Sequence, residues 1–211
     1  MSLALKYEKN CIEFITKEMI TDAAHDLQHI FRVVKTAKSL ADREQADINV
    51  VLPAAYLHDC FTYPKDHPER HLSAQIAADK ACEFLRSIEY PSHYLDDIHH
   101  AIMAHSFSAG LTPKTKEAKV VQDADRLDAL GAIGVTRCIQ VSSTFGSDLY
   151  HPDDMFAQHR PLDDKRYTID HFEVKLFKIA ETMNTLSAKK EAQKRVAFMK
   201  SYLLQLQNEA E

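Results

Sequence analysis

The stretch AAYLHDC, residues 54–60, sets a histidine and an aspartate side by side at the end of an apolar run. The residues before the pair have the character of a buried helical face, and His58 and Asp59 follow where a core residue would be expected. Burying an imidazole beside a carboxylate costs free energy unless each group has a partner. The pair therefore predicts that other parts of the chain supply partners for both side chains.

The rest of the chain has the pattern of an all-α protein. Its 211 residues include only 4 glycines and 7 prolines, and so few turn-forming residues favour long helices over many short strands. Apolar residues recur at helical spacing along most of the chain, which predicts an all-α bundle of about eight to ten helices. We expect one domain over residues 1–211. The helical pattern covers about residues 4–19, 26–40, 47–59, 71–88, 91–105, 115–140, 170–183 and 186–208, and a polar segment over 142–167 reads as a loop.

Composition and charge exclude several classes of function. A net charge of −5 and a pI near 6.2 argue against nucleic acid as a partner. The N-terminus carries charged residues too early for a signal peptide, and no run approaches the ~18 apolar residues of a membrane span. The four cysteines have no paired spacing, which is typical of reduced thiols in the cytosol. We expect a cytoplasmic protein without a membrane partner, as a monomer or a homodimer.

Two other segments carry residues that could partner the His-Asp pair. In HDLQHIFRVV, residues 25–34, His29 flanks the apolar stripe of the second predicted helix, and His25 precedes it by one turn. In VVQDADRLDALGAIG, residues 120–134, the apolar run is interrupted by Asp123, Asp125 and Asp128. Two imidazoles and two carboxylates from three helices can bind a divalent transition metal, with water completing the coordination. Hydrogen-bonded core histidines and helix-capping aspartates are the alternative interpretation.

In order and spacing, these segments resemble the signatures of a known superfamily. HDLQHIFRVVKTAKSLA (25–41), AAYLHDC (54–60) and VVQDADRLDALGAIGVTR (120–137) are similar to the three signature segments of the HD-domain metal-dependent phosphohydrolases, whose pattern is H…HD…D. The similarity extends through AIMAHSFS (101–108) and DHFEVKLFKIAETMNTLSA (170–188). The chain resembles the bacterial branch of single-domain HD proteins that includes nucleoside-triphosphate pyrophosphohydrolases.

The resemblance implies four metal ligands, which are His29, His58, Asp59 and Asp125. His29 matches the first histidine of the family because it stands before the Arg-Val of the helix, whereas His25 lies one turn too early. Asp125 matches the last ligand because it stands in an A-D-x-L setting, and Asp123 is the alternative. One divalent ion is expected, with Mn²⁺ as the first choice and Co²⁺, Ni²⁺, Fe²⁺, Zn²⁺ or Mg²⁺ as alternatives. A second ion, bound with the help of His99, His100 or His105, is the alternative to a single one.

The resemblance also implies the chemistry. A metal-activated water attacks a phosphorus atom of a nucleotide or a small phosphorylated metabolite, and the expected reaction is hydrolysis of a (d)NTP to a (d)NMP and pyrophosphate. Phosphomonoester or cyclic-nucleotide hydrolysis on the same site is one alternative, and a non-catalytic nucleotide-binding regulatory HD domain is another. The alarmone-hydrolase and deoxynucleotidase branches have acidic residues shortly after the HD pair. This chain has Cys60, Phe61 and Thr62 there instead, which argues against both of those activities.

Further residues are candidates for assisting the water or binding phosphate. The catalytic candidates, besides Asp59 itself, are Asp66, His25 and Asp26. The substrate-binding candidates are Lys65 and Arg70 in the loop after the HD pair, Arg32 and Arg126 beside expected ligands, and His105 at the end of the fifth predicted helix. A surface or structural salt bridge is the alternative role for each of the four cations.

Overall fold

In the computed structural model, which describes residues 3–18, 26–64, 67–106 and 110–210, the chain is built from helices. The described residues form nine α-helices and no β-strand, with one isolated β-bridge. The prediction of an all-α fold is confirmed. The helices are α1 (Leu3–Glu18), α2 (Leu27–Glu44), α3 (Ile48–Leu57), α4 (Ser73–Ser87), α5 (Leu95–His105), α6 (Lys116–Asp128), α7 (Gly131–Thr144), α8 (Phe177–Glu181) and α9 (Leu186–Ala210). They divide into two compact units, Met1–Asp125 and Arg126–Glu211, with the boundary inside α6.

Helix α3 is the centre of the first unit because it is apolar on every side. Every residue from Val50 to Leu57 is buried. A helix that is apolar all round is stable only inside a core, and α3 packs against α1, α2 and α5. The Asp47 carboxylate caps its N-terminus by accepting a hydrogen bond from the Asn49 N–H at 2.8 Å. Since α3 ends directly before the His-Asp pair, its burial carries that pair into the core.

A proline inside α3 is accommodated by a tyrosine from another part of the chain. Pro53 has no N–H, so the carbonyl of Asn49, four residues earlier, lacks its usual donor within the helix. The Tyr90 hydroxyl donates a hydrogen bond to that carbonyl at 2.7 Å. Because a buried carbonyl without a partner costs free energy, this hydrogen bond stabilises the helix that leads to the His-Asp pair.

The predicted helix over 115–140 is two helices in the structure, α6 and α7, and the prediction of one continuous helix is wrong. The chain turns at Gly131, whose φ of +73° is a left-handed conformation that favours glycine. At Gly134 a Cβ atom would lie 2.2 Å from a backbone carbonyl oxygen of the preceding turn, so a larger residue does not fit. A residue far along the chain also holds the last turn of α6, because Arg195 donates a hydrogen bond from Nη1 to the Leu127 carbonyl at 2.6 Å.

The second unit consists of α7, α8 and α9 with a polar segment between α7 and α8. Helix α9 packs against both α7 and α8, and a π-helical stretch, Phe172–Leu176, leads into α8. The polar segment is closed by the isolated bridge between Asp148 and Tyr167. The backbone of Asp148 donates to the Arg166 carbonyl and accepts from the Thr168 N–H, each at 2.9 Å.

Two further sequence expectations concern the cysteines and the membrane. All four cysteines are free thiols and all four are buried, so none is paired in a disulfide. Among the described helices, none combines the length and the apolar character that crossing a bilayer requires.

Candidate metal centre

Four side chains from three helices converge in the first unit. They are His29 in the first turn of α2, His58 and Asp59 directly after α3, and Asp125 in α6. The Nε2 atom of His29 is 3.4 Å from Asp125 Oδ1 and 3.8 Å from Asp59 Oδ2. The Nε2 atom of His58 is 3.6 Å from Asp59 Oδ2 and 3.9 Å from Asp125 Oδ1. These are the four residues that the sequence resemblance named as ligands.

His29 is positioned by the residue that caps its helix. Asp26 is the N-cap of α2, and its carboxylate accepts a hydrogen bond from the His29 N–H at 2.6 Å. An N-cap of this kind satisfies a backbone donor that the helix itself leaves without a partner. The cap therefore fixes the turn from which the buried imidazole of His29 projects. Asp26 was predicted to assist catalysis, and that role stays a prediction beside its observed role as a cap.

His58 is held so that one ring nitrogen faces the carboxylates. Its Nδ1 bonds the Ala55 carbonyl at 2.9 Å, near the end of α3, where carbonyls lack helical partners. The carbonyl is an acceptor, so Nδ1 carries the proton and Nε2 of the neutral ring keeps its lone pair. This Nε2 atom is buried and has no hydrogen-bond partner among the described residues. The carboxylate oxygens at 3.6 and 3.9 Å are too distant for a hydrogen bond.

The donor atoms and their spacing fit a divalent transition metal. Two atoms bound to one ion at ~2.0–2.2 Å lie no more than roughly 4.4 Å apart, and the four nitrogen–oxygen separations given above are all shorter. Imidazole nitrogen combined with carboxylate oxygen suits Mn²⁺, Fe²⁺, Co²⁺, Ni²⁺ and Zn²⁺. One described group that could share an ion consists of His29, His58 and Asp125, whereas Asp59 is grouped with His58 and His105, and the buried Asp123 is in neither group. A divalent ion bound by these residues would therefore be a partner for Nε2 of His58.

A third histidine, His105, joins the site through Asp59. It is the last residue of α5 and is buried, and its Nδ1 bonds the Ile102 carbonyl. Its Nε2 atom lies 3.4 Å from Asp59 Oδ1. Together with Asp59, the imidazoles of His58 and His105 form a second group that could share an ion. Asp59 thus presents Oδ2 to His29 and His58 and presents Oδ1 to His105.

The contact between His105 and Asp59 was not predicted, although the sequence named His105 as a candidate for binding the substrate or a second ion. A signal was available, since His58 and His105 both stand at the C-terminal end of a helix, where an imidazole can bond a free carbonyl. Gln122 was missed altogether. Its buried side chain donates from Nε2 to the Ala104 carbonyl at 2.6 Å and fixes the end of α5. The pattern of the surrounding sequence treats Gln122 like a core residue, and it gives no sign of the hydrogen bond to Ala104.

The electrostatic environment favours a neutral ring at His58 and a charged carboxylate at Asp125. Burial lowers the pKa of His58, so Nε2 keeps its lone pair at neutral pH. Burial acts to raise the pKa of Asp125, but its hydrogen bond and charge interaction with His29 lower it to about 2. Burial likewise opposes protonation of His105, yet the hydrogen bond and charge of Asp59 raise its pKa overall. Charged carboxylates and neutral imidazoles are the forms that bind a metal.

The predicted phosphate-binding cations have other contacts in the structure. Arg70 donates from Nη1 to the Tyr63 carbonyl at 2.6 Å. Arg126 donates from Nη1 to both the carbonyl and the hydroxyl of Thr182, each at 2.9 Å. Arg32 is half-buried on α2. These contacts do not test phosphate binding, which stays a prediction for all three. Three further candidates, His25, Lys65 and Asp66, lie outside the described residues.

Comparison with known proteins places the chain in a family. The sequence profile of the HD domain matches residues 26–130, a range that contains all four converging residues. Over 199 residues, the chain is 31% identical to the uncharacterized protein YpgQ of Bacillus subtilis, an alignment that covers 92% of this chain and 89% of YpgQ. The chain belongs to the HD-domain family. The resemblance to HD-domain proteins is confirmed, and within the matched range an adjacent His-Asp sequence occurs at His58–Asp59.

Two solved structures are similar to this chain over nearly its whole length. The crystal structure of Bacillus subtilis YpgQ in complex with ADP is 30% identical, with a TM-score of 0.74 over 98% of this chain and 96% of that one. An HD-superfamily hydrolase from Bacillus thuringiensis is 29% identical, with a TM-score of 0.77 over 98% of this chain and 97% of that one. The fold is therefore that of HD-superfamily hydrolases.

Proposed function

We propose that this HD-domain protein is a metal-dependent phosphohydrolase that converts a (deoxy)nucleoside triphosphate to the monophosphate and pyrophosphate. The observation that carries the proposal is the buried Nε2 of His58, which faces the carboxylates of Asp59 and Asp125 and has no hydrogen-bond partner among the described residues. Such a nitrogen is costly in a folded protein unless it binds a ligand. The proposed ligands are His29, His58, Asp59 and Asp125, and the proposed ion is Mn²⁺.

The choice of a nucleotide rests on a relative. Bacillus subtilis YpgQ, 30% identical over nearly the whole chain, has been crystallised in complex with ADP. ADP contains a base, a sugar and a chain of phosphates, and a mixed site of metal ligands and cations suits the phosphate portion. We therefore propose a nucleotide as the substrate of this chain rather than a phosphorylated compound without a base.

Asp59 connects the ligand histidines to a group that can move a proton. A divalent ion bound at the site lowers the pKa of a bound water and neutralises charge on phosphoryl oxygens. Oδ2 of Asp59 faces His29 and His58, and Oδ1 lies 3.4 Å from Nε2 of His105. The bond from Nδ1 of His105 to a backbone carbonyl leaves Nε2 as the atom that takes or gives a proton. The Asp59–His105 pair is thus placed to accept the proton of the attacking water.

The proposed reaction is hydrolysis at the α-phosphorus. The oxygen of water forms a bond to that phosphorus, and the bond between the phosphorus and the oxygen that bridges to the β-phosphate breaks. The electron pair of the broken bond leaves with pyrophosphate, and the proton of the water passes to the Asp59–His105 pair. Phosphate oxygens are proposed to bind the predicted cations, of which Arg70 keeps guanidinium donors beyond the Nη1 atom that holds Tyr63. The four proposed cations are Arg32, Lys65, Arg70 and Arg126.

Turnover of a nucleotide panel tests the proposal. The purified protein, with its metal content recorded, is incubated with triphosphates, monophosphates and cyclic nucleotides in Mn²⁺, Co²⁺, Ni²⁺ or Mg²⁺, and the products are separated. Release of pyrophosphate with a monophosphate supports the proposal, and reaction in ¹⁸O-labelled water should place the label in the monophosphate. Release of inorganic phosphate from monophosphates would replace it with phosphomonoester hydrolysis. Metal binding without any turnover would favour a regulatory nucleotide-binding domain.

A matched pair of variants separates the site from general effects of charge. Asp59→Asn should abolish turnover, because it removes a ligand and the proposed proton acceptor. Asp79→Asn is the control, since Asp79 forms a His-Asp pair with His99 at 2.9 Å on the surface of the same unit. Its turnover should equal that of the wild type. Equal loss in both variants would contradict the assignment of the site.

A further inference from the structure

Three rings form a cluster in the loop that follows the HD pair. The rings of Tyr63 and His67 are parallel, with centroids 4.0 Å apart and planes 4° from each other. Phe61 meets Tyr63 edge to face, with centroids 4.9 Å apart. All three residues are partly exposed, so the cluster is not simply core. We call the stacked rings of Tyr63 and His67 the ring pair.

The ring pair is held in place mainly through backbone atoms. The Tyr63 N–H donates to the Ser73 hydroxyl at 3.0 Å, and the Tyr63 carbonyl accepts from Arg70 Nη1 at 2.6 Å. Nδ1 of His67 accepts a hydrogen bond from the Glu69 N–H at 3.1 Å, which fixes the second ring. Both ends of the loop are thus tied together at Tyr63 without using its side chain. Rings that are fixed before a ligand arrives lose little entropy when it binds.

The ring pair lies close along the chain to the proposed phosphate site. Phe61 is two residues and Tyr63 four residues after Asp59, so the Asp59 and Tyr63 backbones are separated by at most ~14 Å. Arg70, which holds the Tyr63 carbonyl, brings a guanidinium to the same loop. A partly exposed aromatic surface beside the Arg70 guanidinium, four residues along the chain from Asp59, suits a nucleotide, in which a flat base is joined through a sugar to charged oxygens.

We propose that the ring pair is the base-binding subsite, on which the base of the nucleotide stacks. The inference rests on the proposed function and deepens it, because it assigns recognition of the base to stacking rather than to hydrogen bonds. Every base has a π-face, so stacking tolerates all of them and favours the larger purines. The protein then accepts nucleotides with different bases. Its affinity for a nucleotide exceeds that for the same phosphate chain without a base.

Binding of two matched ligands tests the subsite. Adenosine 5′-(α,β-methylene)diphosphate carries base and phosphates, whereas methylenediphosphonate has the same bridged phosphate group without base or sugar, and both resist hydrolysis at the methylene bridge. Their dissociation constants are measured by calorimetry on the Mn²⁺-loaded protein. Tyr63→Leu keeps the backbone bonds that close the loop and removes the ring, and Tyr63→Phe keeps the ring. Tyr63→Leu should weaken the nucleotide roughly tenfold or more and leave methylenediphosphonate unchanged, and Tyr63→Phe should match the wild type.

The outcomes separate failure of the subsite from failure of the proposed function. Equal weakening of both ligands by Tyr63→Leu would show that the ring only shapes the loop, and no weakening of either would show that the base does not stack there. Each result overturns the subsite while leaving the nucleotide proposal intact. A wild-type protein that does not bind the nucleotide would overturn both. Should Tyr63→Leu lack the circular dichroism spectrum of the folded protein, His67→Leu provides the same comparison from the other ring.

Discussion

Replacing His58 with leucine should leave the metal-free protein about as stable as the wild type. The buried Nε2 of His58 has no hydrogen-bond partner among the described residues, and such a group destabilises a fold by about 1–3 kcal/mol. Leucine also leaves the buried Ala55 carbonyl without the donor that Nδ1 supplies, which costs about 1–3 kcal/mol in the other direction. The two effects nearly cancel, so the free energy of unfolding should change by less than about 1 kcal/mol, or about 2–4 °C in Tm for a chain of this length.

The same substitution should abolish stabilisation by metal. An ion that binds only the folded protein raises the free energy of unfolding by about 2.7 kcal/mol when its free concentration is a hundred times Kd, which corresponds to roughly 5–10 °C in Tm. Thermal unfolding is followed by circular dichroism in a chelator and in excess Mn²⁺. The two proteins should have nearly the same Tm in chelator, and His58→Leu should have the lower Tm in Mn²⁺.

A surface histidine provides the control for this experiment. His99 is partly exposed and pairs with Asp79, so His99→Leu should keep the full shift in Mn²⁺. If His58→Leu lost more than about 1 kcal/mol in chelator, the Nε2 atom of His58 would have a partner in the folded protein, and the reasoning from a nitrogen without one would be refuted. An undiminished Mn²⁺ shift in His58→Leu would exclude that residue as a ligand.

Three further perturbations test the surroundings of the site. Gln122→Leu removes the donor that fixes the end of α5, so it should lower kcat while leaving the metal content, measured by atomic absorption, at the wild-type value. Tyr90→Phe leaves the Asn49 carbonyl without its donor and should cost about 1–2 kcal/mol in urea unfolding; this cost should shrink when Pro53→Ala supplies a backbone N–H. Asp125→Asn should be less stable than the wild type by up to about 2 kcal/mol in chelator, because the pKa of Asp125 is lowered to about 2. That difference is complete above the ordinary pKa of aspartate near 4 and is lost as the pH falls through about 2, so a constant difference down to the lowest pH would contradict it.

The elements around the HD pair were predictable because their signals are local. Helix α3 is apolar on every side, and a helix of that kind belongs in a core whatever surrounds it. Helix α2 begins where an aspartate can cap it, and Asp26 does so. The four converging residues followed from the order of three motifs, which carry information about the family that no single helix carries. Each motif lies on or directly after a helix, and the sequence pattern predicts where along the chain these helices are.

The features that escaped prediction depend on contacts between distant parts of the chain. The apolar periodicity of residues 120–140 continues past Asp128, where α6 ends, so the periodicity alone does not indicate the break and Gly131 is its one local signal. One of the contacts that fixes the turn comes from Arg195, on the last helix. The contact of His105 with Asp59 likewise joins residues far apart in the sequence. Such contacts appear only when the helices have packed, because a pattern along one helix describes its faces but not its neighbours.

The two histidines at helix ends explain why Asp59 occupies the central position. In many metal sites a carboxylate orients the imidazole from behind, as the acceptor for its second nitrogen. Here backbone carbonyls near the ends of α3 and α5 accept hydrogen bonds from Nδ1 of His58 and His105. Neither ring therefore needs a carboxylate as the acceptor for its second nitrogen. The oxygens of Asp59 lie on the other side of the rings, Oδ2 within 4 Å of Nε2 of His29 and His58 and Oδ1 within 4 Å of Nε2 of His105. Asp125 has such contacts with His29 and His58. Loss of Asp59 thus disturbs the proposed ligands and the proposed proton acceptor together, whereas loss of Asp125 leaves the contact with His105 in place.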